Sequence, residues 1–148
     1  MVQCSSAKIV RYKGVFLLKG CDLKTYKIKN LELSTNVGSS RRIELTHRYT
    51  YNVRYSEKDT CMGEFTAEVS DKADPAAIKI KITVIAIFEI DGRLPREEVH
   101  IITYNTMFPY VQSAISTVTA AAGIPPVIIP YIDASNGEIL RLELPDIE

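Results

Sequence analysis

The stretch that most constrains this chain is Val99–Ile132, which contains no Asp, Glu, Lys or Arg. Charged residues make up 24% of the whole chain, so a neutral run of this length predicts extensive packing against protein. A membrane helix requires about 20 consecutive apolar residues, whereas Asn105, Pro109, Gln112 and Gly123 interrupt this run. We therefore expect no membrane insertion.

The composition predicts a single domain, residues 1–148, located in the cytoplasm. A chain of 148 residues, of which 46% are hydrophobic, is long enough to bury one core. Its 18 basic and 18 acidic residues balance, whereas nucleic-acid binding requires concentrated positive charge. No secretory signal is expected at the N-terminus, and three widely spaced cysteines match neither a zinc site nor a disulfide scaffold. We expect free thiols, no metal or other cofactor, and no nucleic-acid partner.

Four strands are predicted from residues that alternate between apolar and polar. The clearest case is Ile43–Tyr55, where one face is apolar and aromatic and the other is polar. In the first strand the apolar phase shifts at Lys29–Asn30, which indicates a bulge or bend. In the fourth, Ile85 and Ile87 add apolar side chains to the outer face, which predicts that a helix or second subunit covers it. The predicted strands are Leu23–Leu33, Ile43–Tyr55, Cys61–Val69 and Ile78–Ile90.

After the strands the pattern becomes helical. Pro95, followed by two glutamates, is typical of a first helical turn. A second or continuing helix is predicted at Phe108–Ala122, with Thr106 as a possible cap and Gly123 as its stop. The side of this helix expected to pack on the sheet consists of Val111, Ala114, Ile115, Val118 and Ala122.

The opposite side of the helix is neutral where a solvated helix usually carries Lys and Glu. Small uncharged side chains allow another helix to approach closely, so we predict an oligomer interface on this side. An ordinary exposed face is the alternative. The predicted interface residues are Gln112, Ser113, Ser116, Thr117 and Ala120.

Catalytic motifs do not stand out in the sequence. The histidines are His47, within a strand face of tyrosines, and His100, at the start of the neutral run. Neither belongs to a recognisable hydrolase, metalloprotease or phosphate-binding motif. The prediction is that the protein is not an enzyme.

The segment FPYVQSAISTVTAAAGIPPVIIPYID, residues 108–133, resembles the signature of the SecB family of protein-export chaperones. In that family an FPY triplet begins a long helix, a glycine ends it, and a proline-rich apolar segment follows. The likeness extends from about Leu23 to Asp133 and includes FEIDG at the end of the fourth strand. The matching motif residues are Phe108, Pro109, Tyr110, Gly123, Pro126 and Pro130.

The resemblance implies an α+β fold, a four-stranded antiparallel meander with helices packed on one face, assembled as a dimer of dimers. Residues 1–22 would be an N-terminal extension and residues 134–148 a C-terminal tail. The implied function is ATP-independent holding of unfolded or nascent polypeptides in apolar grooves, with delivery of exported precursors to the motor SecA. The alternative is a dedicated chaperone of one client, such as an antitoxin of a toxin–antitoxin system. The implied peptide-binding residues are Leu31, Leu33, Ile124, Val127, Ile128, Ile129 and Tyr131.

Some features depart from the family pattern. Gln112 stands where Arg is usual, and Asp133 where Asn is usual. Residues 134–148 predict a short strand or a tail instead of the family's C-terminal helix. The net charge is zero, whereas export members are acidic and use that acidity to bind SecA. Docking to SecA is therefore the implied property that this sequence supports least.

Two other functional classes fit the same order of strands and helices. A hotdog-like small-molecule or acyl carrier, or a thioesterase, would have a closed pocket and co-purifying acyl ligands, but the sequence places no acid–base pair for it. A purely structural oligomer would bind no client at all.

Overall fold

Residues 20–36, 43–56, 59–135 and 139–141 are described by the structure, a computed structural model. Their elements are β1 (Cys21–Thr35), β2 (Leu45–Ser56), β3 (Thr60–Asp71), β4 (Ile78–Ile90), α1 (Arg96–Ala121) and β5 (Ile139–Leu140). The four predicted strands are present. The last two residues of the predicted N-terminal extension lie in β1, and the predicted tail contains β5. Residues 1–19, which are most of the predicted N-terminal extension, and most of the predicted tail lie outside the described ranges.

All five strands form one sheet in the order β1-β4-β3-β2-β5. β2, β3 and β4 are consecutive antiparallel neighbours, whereas β1 pairs antiparallel with β4, from Cys21 opposite Ile90 to Thr35 opposite Ile78. The predicted meander is therefore wrong in the position of the first strand. The physical reason lies in β4, whose inner side chains are buried along the strand. A buried strand needs a neighbour on each edge to pair its backbone N–H and C=O groups.

The register between β1 and β4 shifts between Ile28 and Asn30, and again nearer the N-terminus of β1. The first of these shifts coincides with the predicted change of apolar phase, so the predicted bulge is confirmed. An extra residue in one strand restores the side-chain phase beyond it. As a result Leu31 lies opposite Ile82, a core residue of β4.

The inner face of the sheet packs on α1 through a cluster of aromatic rings. Its members, none more than 4% exposed, are Tyr49, Tyr51, Phe65, Tyr104 and Phe108. Phe65 is central, with its ring centroid 5.3 Å from that of Tyr104 and 5.6 Å from that of Tyr49. The apolar and aromatic phase of β2 thus identified the core side of the sheet. On the outer face Ile85 and Ile87 are half-buried, and their predicted cover stays a prediction.

α1 is one helix that continues through Pro109. Of the two predicted alternatives, the continuing helix is therefore the correct one, and a second helix that starts near Phe108 with Thr106 as its cap is wrong. Thr106 instead donates from Oγ1 to the carbonyl of Ile102 at 2.8 Å, as in a helix interior. Pro109 removes one backbone hydrogen bond, but the helix has buried side chains on both sides of it, including Tyr104 and Val111. Packing on the sheet therefore outweighs the local preference to break.

His100 is a buried titratable group in this interface. It is 3% exposed, its ring lies edge-on to Tyr51 at 5.0 Å, and its Nε2 has no hydrogen-bond partner among the described residues. Burial, and then the positive charge of Arg141, lower the pKa of His100 to about 4, although Glu97 opposes the shift. The imidazole is therefore neutral at pH 7.

We expect acid to destabilise the protein through His100 between about pH 6.5 and about pH 4. An unfolded histidine has a pKa of about 6.5, so over this interval the unfolded state binds a proton that the folded state does not. The free energy of unfolding should fall by about 3 kcal/mol at the acid end and be fully restored above about pH 6.5. Urea titrations across this range measure the loss. The His100→Phe variant has no titrating group at this position, so its free energy of unfolding should fall by about 3 kcal/mol less than that of the wild type over the same pH range. If both proteins lose the same amount, the pH dependence belongs to other groups.

Candidate functional site

The segment that follows α1, residues 124–133, is called the proline segment below. It begins after Gly123, whose φ of +87° is a conformation that side-chain-bearing residues rarely adopt. A Cβ at this position would have no heavy atom within 4 Å, so glycine is required by the backbone and not by space. Gly123 therefore ends α1, as predicted, and directs the chain back along the helix and the sheet.

Hydrogen bonds between its backbone and side chains of α1 and β2 fix the proline segment. The segment is neither strand nor helix, so these side chains replace the backbone partners that its polar groups would otherwise have. Tyrosine hydroxyls of β2 and α1 account for two of the bonds. The contacts are Gln112 Nε2 to Ile129 O at 2.9 Å, Tyr49 Oη to Pro130 O at 2.7 Å, Tyr104 Oη to Ile132 O at 2.6 Å, and the Val127 N–H to Thr119 Oγ1 at 2.9 Å.

Side chains of the proline segment alternate between core and surface. Val127 and Ile129 are 8% and 0% exposed, whereas Ile128 between them is 70% exposed. Tyr131 is 52% exposed, and its hydroxyl donates to Asn105 Oδ1 at 2.6 Å. Since the buried neighbours and the hydrogen bonds fix the backbone, Ile128 is held pointing outward.

A groove of about 360 Å³ lies between the start of the proline segment and the end of the sheet at which β2 and β4 begin. Every residue that lines it is apolar, so a bound side chain would meet no charged group in its walls. An apolar surface open to water favours burial of another apolar group at about 25 cal/mol per Å². The lining residues are Ile43, Leu45, Ile78, Ile124, Pro125, Pro126, Val127 and Ile128.

The structure brings together only part of the predicted peptide-binding set. Ile124, Val127 and Ile128 line the groove. Ile129 does not line the groove, contrary to the prediction, because its side chain is fully buried in the core. The remaining predicted residues do not line the groove: Tyr131 packs its ring perpendicular to that of Phe108 at 5.2 Å, Leu31 is 40% exposed on β1, and Leu33 is half-buried there.

Ile43, Leu45 and Ile78 line the groove but were not predicted to bind peptide. They lie at or just before the first residues of β2 and β4, in the inner phase of each strand. Their alternation was visible in the sequence as core-facing. That they line a groove depends on where the proline segment packs, which local sequence does not determine.

The predicted interface side of α1 is only partly exposed. Ser113, Thr117 and Ala120 are exposed, and Ser116 is half-buried. Gln112 instead reaches the proline segment and donates to the carbonyl of Ile129, so its amide serves an intramolecular contact. The exposed remainder of this side is free of charge.

The predicted motif residues have distinct structural roles. Phe108 is in the aromatic core, whereas Pro109 is exposed within the helix. The ring of Tyr110 packs at a tilt against that of Tyr26 of β1, with their centroids 4.5 Å apart. Pro126 lines the groove, and the carbonyl of Pro130 accepts from Tyr49. The motif therefore encodes the packing of α1 and the path of the segment beside it.

The described cysteines have unreactive thiols. Cys61 is buried and Cys21 half-buried, and both are free. Burial raises the pKa of Cys61 to about 12, and burial together with the negative charge of Asp22 raises that of Cys21 to about 11. The nucleophilic thiolate form is therefore scarce at neutral pH.

In the described part of the chain, α1 lacks an apolar stretch long enough to cross a bilayer.

The chain is similar in sequence to a known protein and in fold to a solved structure. No family model matches the chain. An uncharacterized protein of Methanocaldococcus jannaschii is 29% identical over 128 residues, which cover 78% of this chain and 82% of that protein. Among solved structures, the Mycobacterium tuberculosis SecB-like chaperone Rv1957, in complex with a ChAD peptide from the Rv1956 HigA1 antitoxin, superposes with a TM-score of 0.65. The match has 9% sequence identity and covers 77% of this chain and 91% of Rv1957.

The fold is SecB-like. At this identity the likeness extends to the arrangement of the sheet and helix, and the predicted SecB-like fold is confirmed at that level. The SecB-like sheet and α1 position the proline segment and the groove beside it.

Proposed function

We propose that this SecB-like chain is a chaperone that holds unfolded polypeptide in the groove beside the proline segment. The observation that carries the proposal is the exposed Ile128 on the rim of a groove lined entirely by apolar side chains. Because the fixed backbone holds this apolar side chain in water, its burial by a binding partner is favourable, and exposed apolar surface of this kind is typical of a binding site. A SecB-like fold whose solved representative carries a bound antitoxin peptide supports a polypeptide as that partner.

The chemistry of the groove suits a partner without a fixed structure. Unfolded chains offer apolar side chains and backbone edges, whatever their sequence. Burying one large apolar side chain contributes about 1.5 to 3 kcal/mol, whereas micromolar affinity requires about 8 kcal/mol. One groove of this size therefore binds weakly, and several grooves in an oligomer would strengthen binding through effective concentration.

A dedicated client is the form of this function that the observations favour. The antitoxin peptide of the SecB-like neighbour is a segment of one particular protein. The balanced charge of this chain offers no acidic excess for long-range attraction to a basic partner, so delivery of exported precursors to SecA has less support. A panel of unfolded proteins distinguishes the two forms. Binding of a single member supports a dedicated chaperone, and binding of most members supports general holding.

The function is tested by native mass spectrometry of the purified protein, with and without a denatured client. A stable complex with the client supports the proposal. Co-purified acyl ligands, without any client complex, would favour the hotdog-like carrier instead. An unchanged mass with every client tested would favour a purely structural oligomer.

The exposed neutral side of α1 supports a homo-oligomer, with a dimer of dimers as the expected form. If a second copy covers this side, Thr117→Lys or Ser113→Glu places a charge in a desolvated interface and should convert the oligomer largely to monomer. Analytical ultracentrifugation measures the mass. The matched control is Glu98→Lys, at an exposed position in the first turn of α1, about four turns along the helix from Ser113. Mass that is unaffected by Thr117→Lys would identify the neutral side as ordinary surface.

A further inference from the structure

One wall of the groove is a run of five consecutive residues, from Ile124 to Ile128. Its second and third residues are Pro125 and Pro126, which have no backbone N–H. The first four residues of the wall therefore contain only two backbone donors, the N–H groups of Ile124 and Val127. Because each proline ring also fixes its φ at about −65°, the conformation of the wall is decided largely by where these two donors are bound.

Both donors are bound by Thr119, a residue of α1. The Ile124 N–H donates to the carbonyl of Thr119 at 3.3 Å, and the Val127 N–H donates to its Oγ1 at 2.9 Å. Thr119 is fully buried, so water does not replace its hydroxyl as the acceptor for Val127. A single residue therefore holds the chain on both sides of the proline pair.

The hydroxyl of Thr119 is itself held in place by the helix. Its Oγ1 donates to the carbonyl of Ile115 at 2.8 Å and lies 3.0 Å from the carbonyl oxygen of Ser116. Since its one proton is directed back along the helix, the lone pairs of Oγ1 remain to accept from Val127. The acceptor thus has a fixed orientation, which fixes the place of the donor.

Ile128, the exposed residue of the groove, lies between two backbone contacts with α1. The first is the bond of the Val127 N–H to Thr119, and the second is the bond of the Ile129 carbonyl to Gln112 at 2.9 Å. The two α1 residues are seven positions apart and so share one side of the helix, about 10.5 Å apart along its axis. Three residues of extended chain span about 10 Å. The spacing of the two side chains therefore matches the stretch of backbone that they hold.

We propose that Thr119 is a positioning residue of the client site, because its hydroxyl and the two prolines hold the groove wall in the shape that a client binds. This inference rests on the proposed chaperone function. Thr119 does not contact the client, since it is fully buried. Without its hydroxyl the wall would adopt several conformations, and the client would have to order the wall on binding. Affinity then falls in proportion to the fraction of molecules whose wall has the binding shape.

Removing the hydroxyl in the full-length protein tests this role. Thr119→Val keeps the branched shape of the side chain but leaves the Val127 N–H without its acceptor. It should bind reduced, carboxymethylated α-lactalbumin, a permanently unfolded chain, about tenfold more weakly than wild type, as expected when the wall has its binding shape in about one molecule in ten. Thr119→Ser retains the hydroxyl and should bind as wild type does. Fluorescence anisotropy of the labelled client measures all three affinities.

Thr103→Val is the matched control for the loss of stability. Thr103 is also fully buried in α1, where its Oγ1 donates to the carbonyl of Val99 at 2.7 Å and accepts from the hydroxyl of Tyr51 at 2.6 Å. It lies about 24 Å from Thr119 along the helix axis. Urea titration should show that both valine variants are less stable than wild type, whereas the client affinity of Thr103→Val should equal that of wild type. Equal weakening by both substitutions would overturn the inference, because general destabilisation would then explain it.

Thr119→Ala keeps the inference testable if Thr119→Val does not fold, because alanine also lacks the hydroxyl and has a higher helix propensity than valine. If wild type binds the client and the folded Thr119 variant binds it equally well, the positioning role is refuted and the proposed function stands. If wild type does not bind the client, both are refuted.

Hydrogen exchange in the absence of a client reports the hydrogen bond directly. The Val127 amide should exchange about tenfold faster in Thr119→Val than in wild type, and at the wild-type rate in Thr119→Ser and Thr103→Val. An unchanged rate in Thr119→Val would show that the hydroxyl does not hold the wall, which contradicts the inference and leaves the groove as the binding site.

Discussion

Replacing Ile128 with aspartate should weaken the binding of an unfolded polypeptide by about ten- to a hundredfold and leave the free energy of unfolding unchanged. Ile128 lines the groove and is 70% exposed, so its removal costs the core almost nothing. Its burial by a client is worth about 1.5 to 3 kcal/mol, and a carboxylate that the client covers adds a desolvation cost. Fluorescence anisotropy of a labelled client measures affinity, and urea titration measures stability.

The matched control for this change is Ser34→Asp. It adds the same negative charge at an exposed position of β1, opposite Lys79 and away from the groove lining. Client affinity should match that of wild type. If Ile128→Asp retains full affinity in a folded protein, the groove is not where the client binds.

Replacing Phe65 with alanine should lower the free energy of unfolding by about 3 to 5 kcal/mol. Phe65 is fully buried, and its ring has aromatic neighbours from both the sheet and α1. The substitution removes transfer energy and leaves a cavity that rigid rings on several sides cannot fill. Urea denaturation at pH 7 gives the difference, and a marginally stable domain could lose most of its folded population.

Tyr26→Ala is the comparison that isolates position from residue type. The ring of Tyr26 packs against that of Tyr110 with a centroid distance of 4.5 Å, but Tyr26 is 47% exposed, so we expect a loss of only about 1 kcal/mol. Similar losses for the two substitutions would mean that the aromatic cluster around Phe65 is not the main core of the domain.

Much of the local structure was predictable because it is encoded by periodicity. The alternation in Ile43–Tyr55 identified both β2 and its core face, and β4 has the predicted bounds Ile78–Ile90. The phase change at Lys29–Asn30 marked a real shift of register. Each of these features depends on which side of one element must be buried, and neighbouring residues carry that information.

The candidate site was predictable only in part. The resemblance to the SecB family implied Ile124, Val127 and Ile128, which do line the groove. It also pointed to Ile129, which alternation within the segment turns into the core. The opposite wall, including Leu45, comes from strand starts far away in the chain, and no local pattern separates a groove wall from a core position.

The sequence by itself determined the strands, the bulge, the aromatic side of the sheet and the neutral composition of α1, because these follow from the order of apolar and polar residues within one element. Only the tertiary structure decided that β1 pairs with β4, that α1 continues through Pro109, and that β5 lies on the edge of β2. Those outcomes depend on the burial and backbone pairing of residues distant in sequence, where packing energy exceeds the local preferences of any one segment.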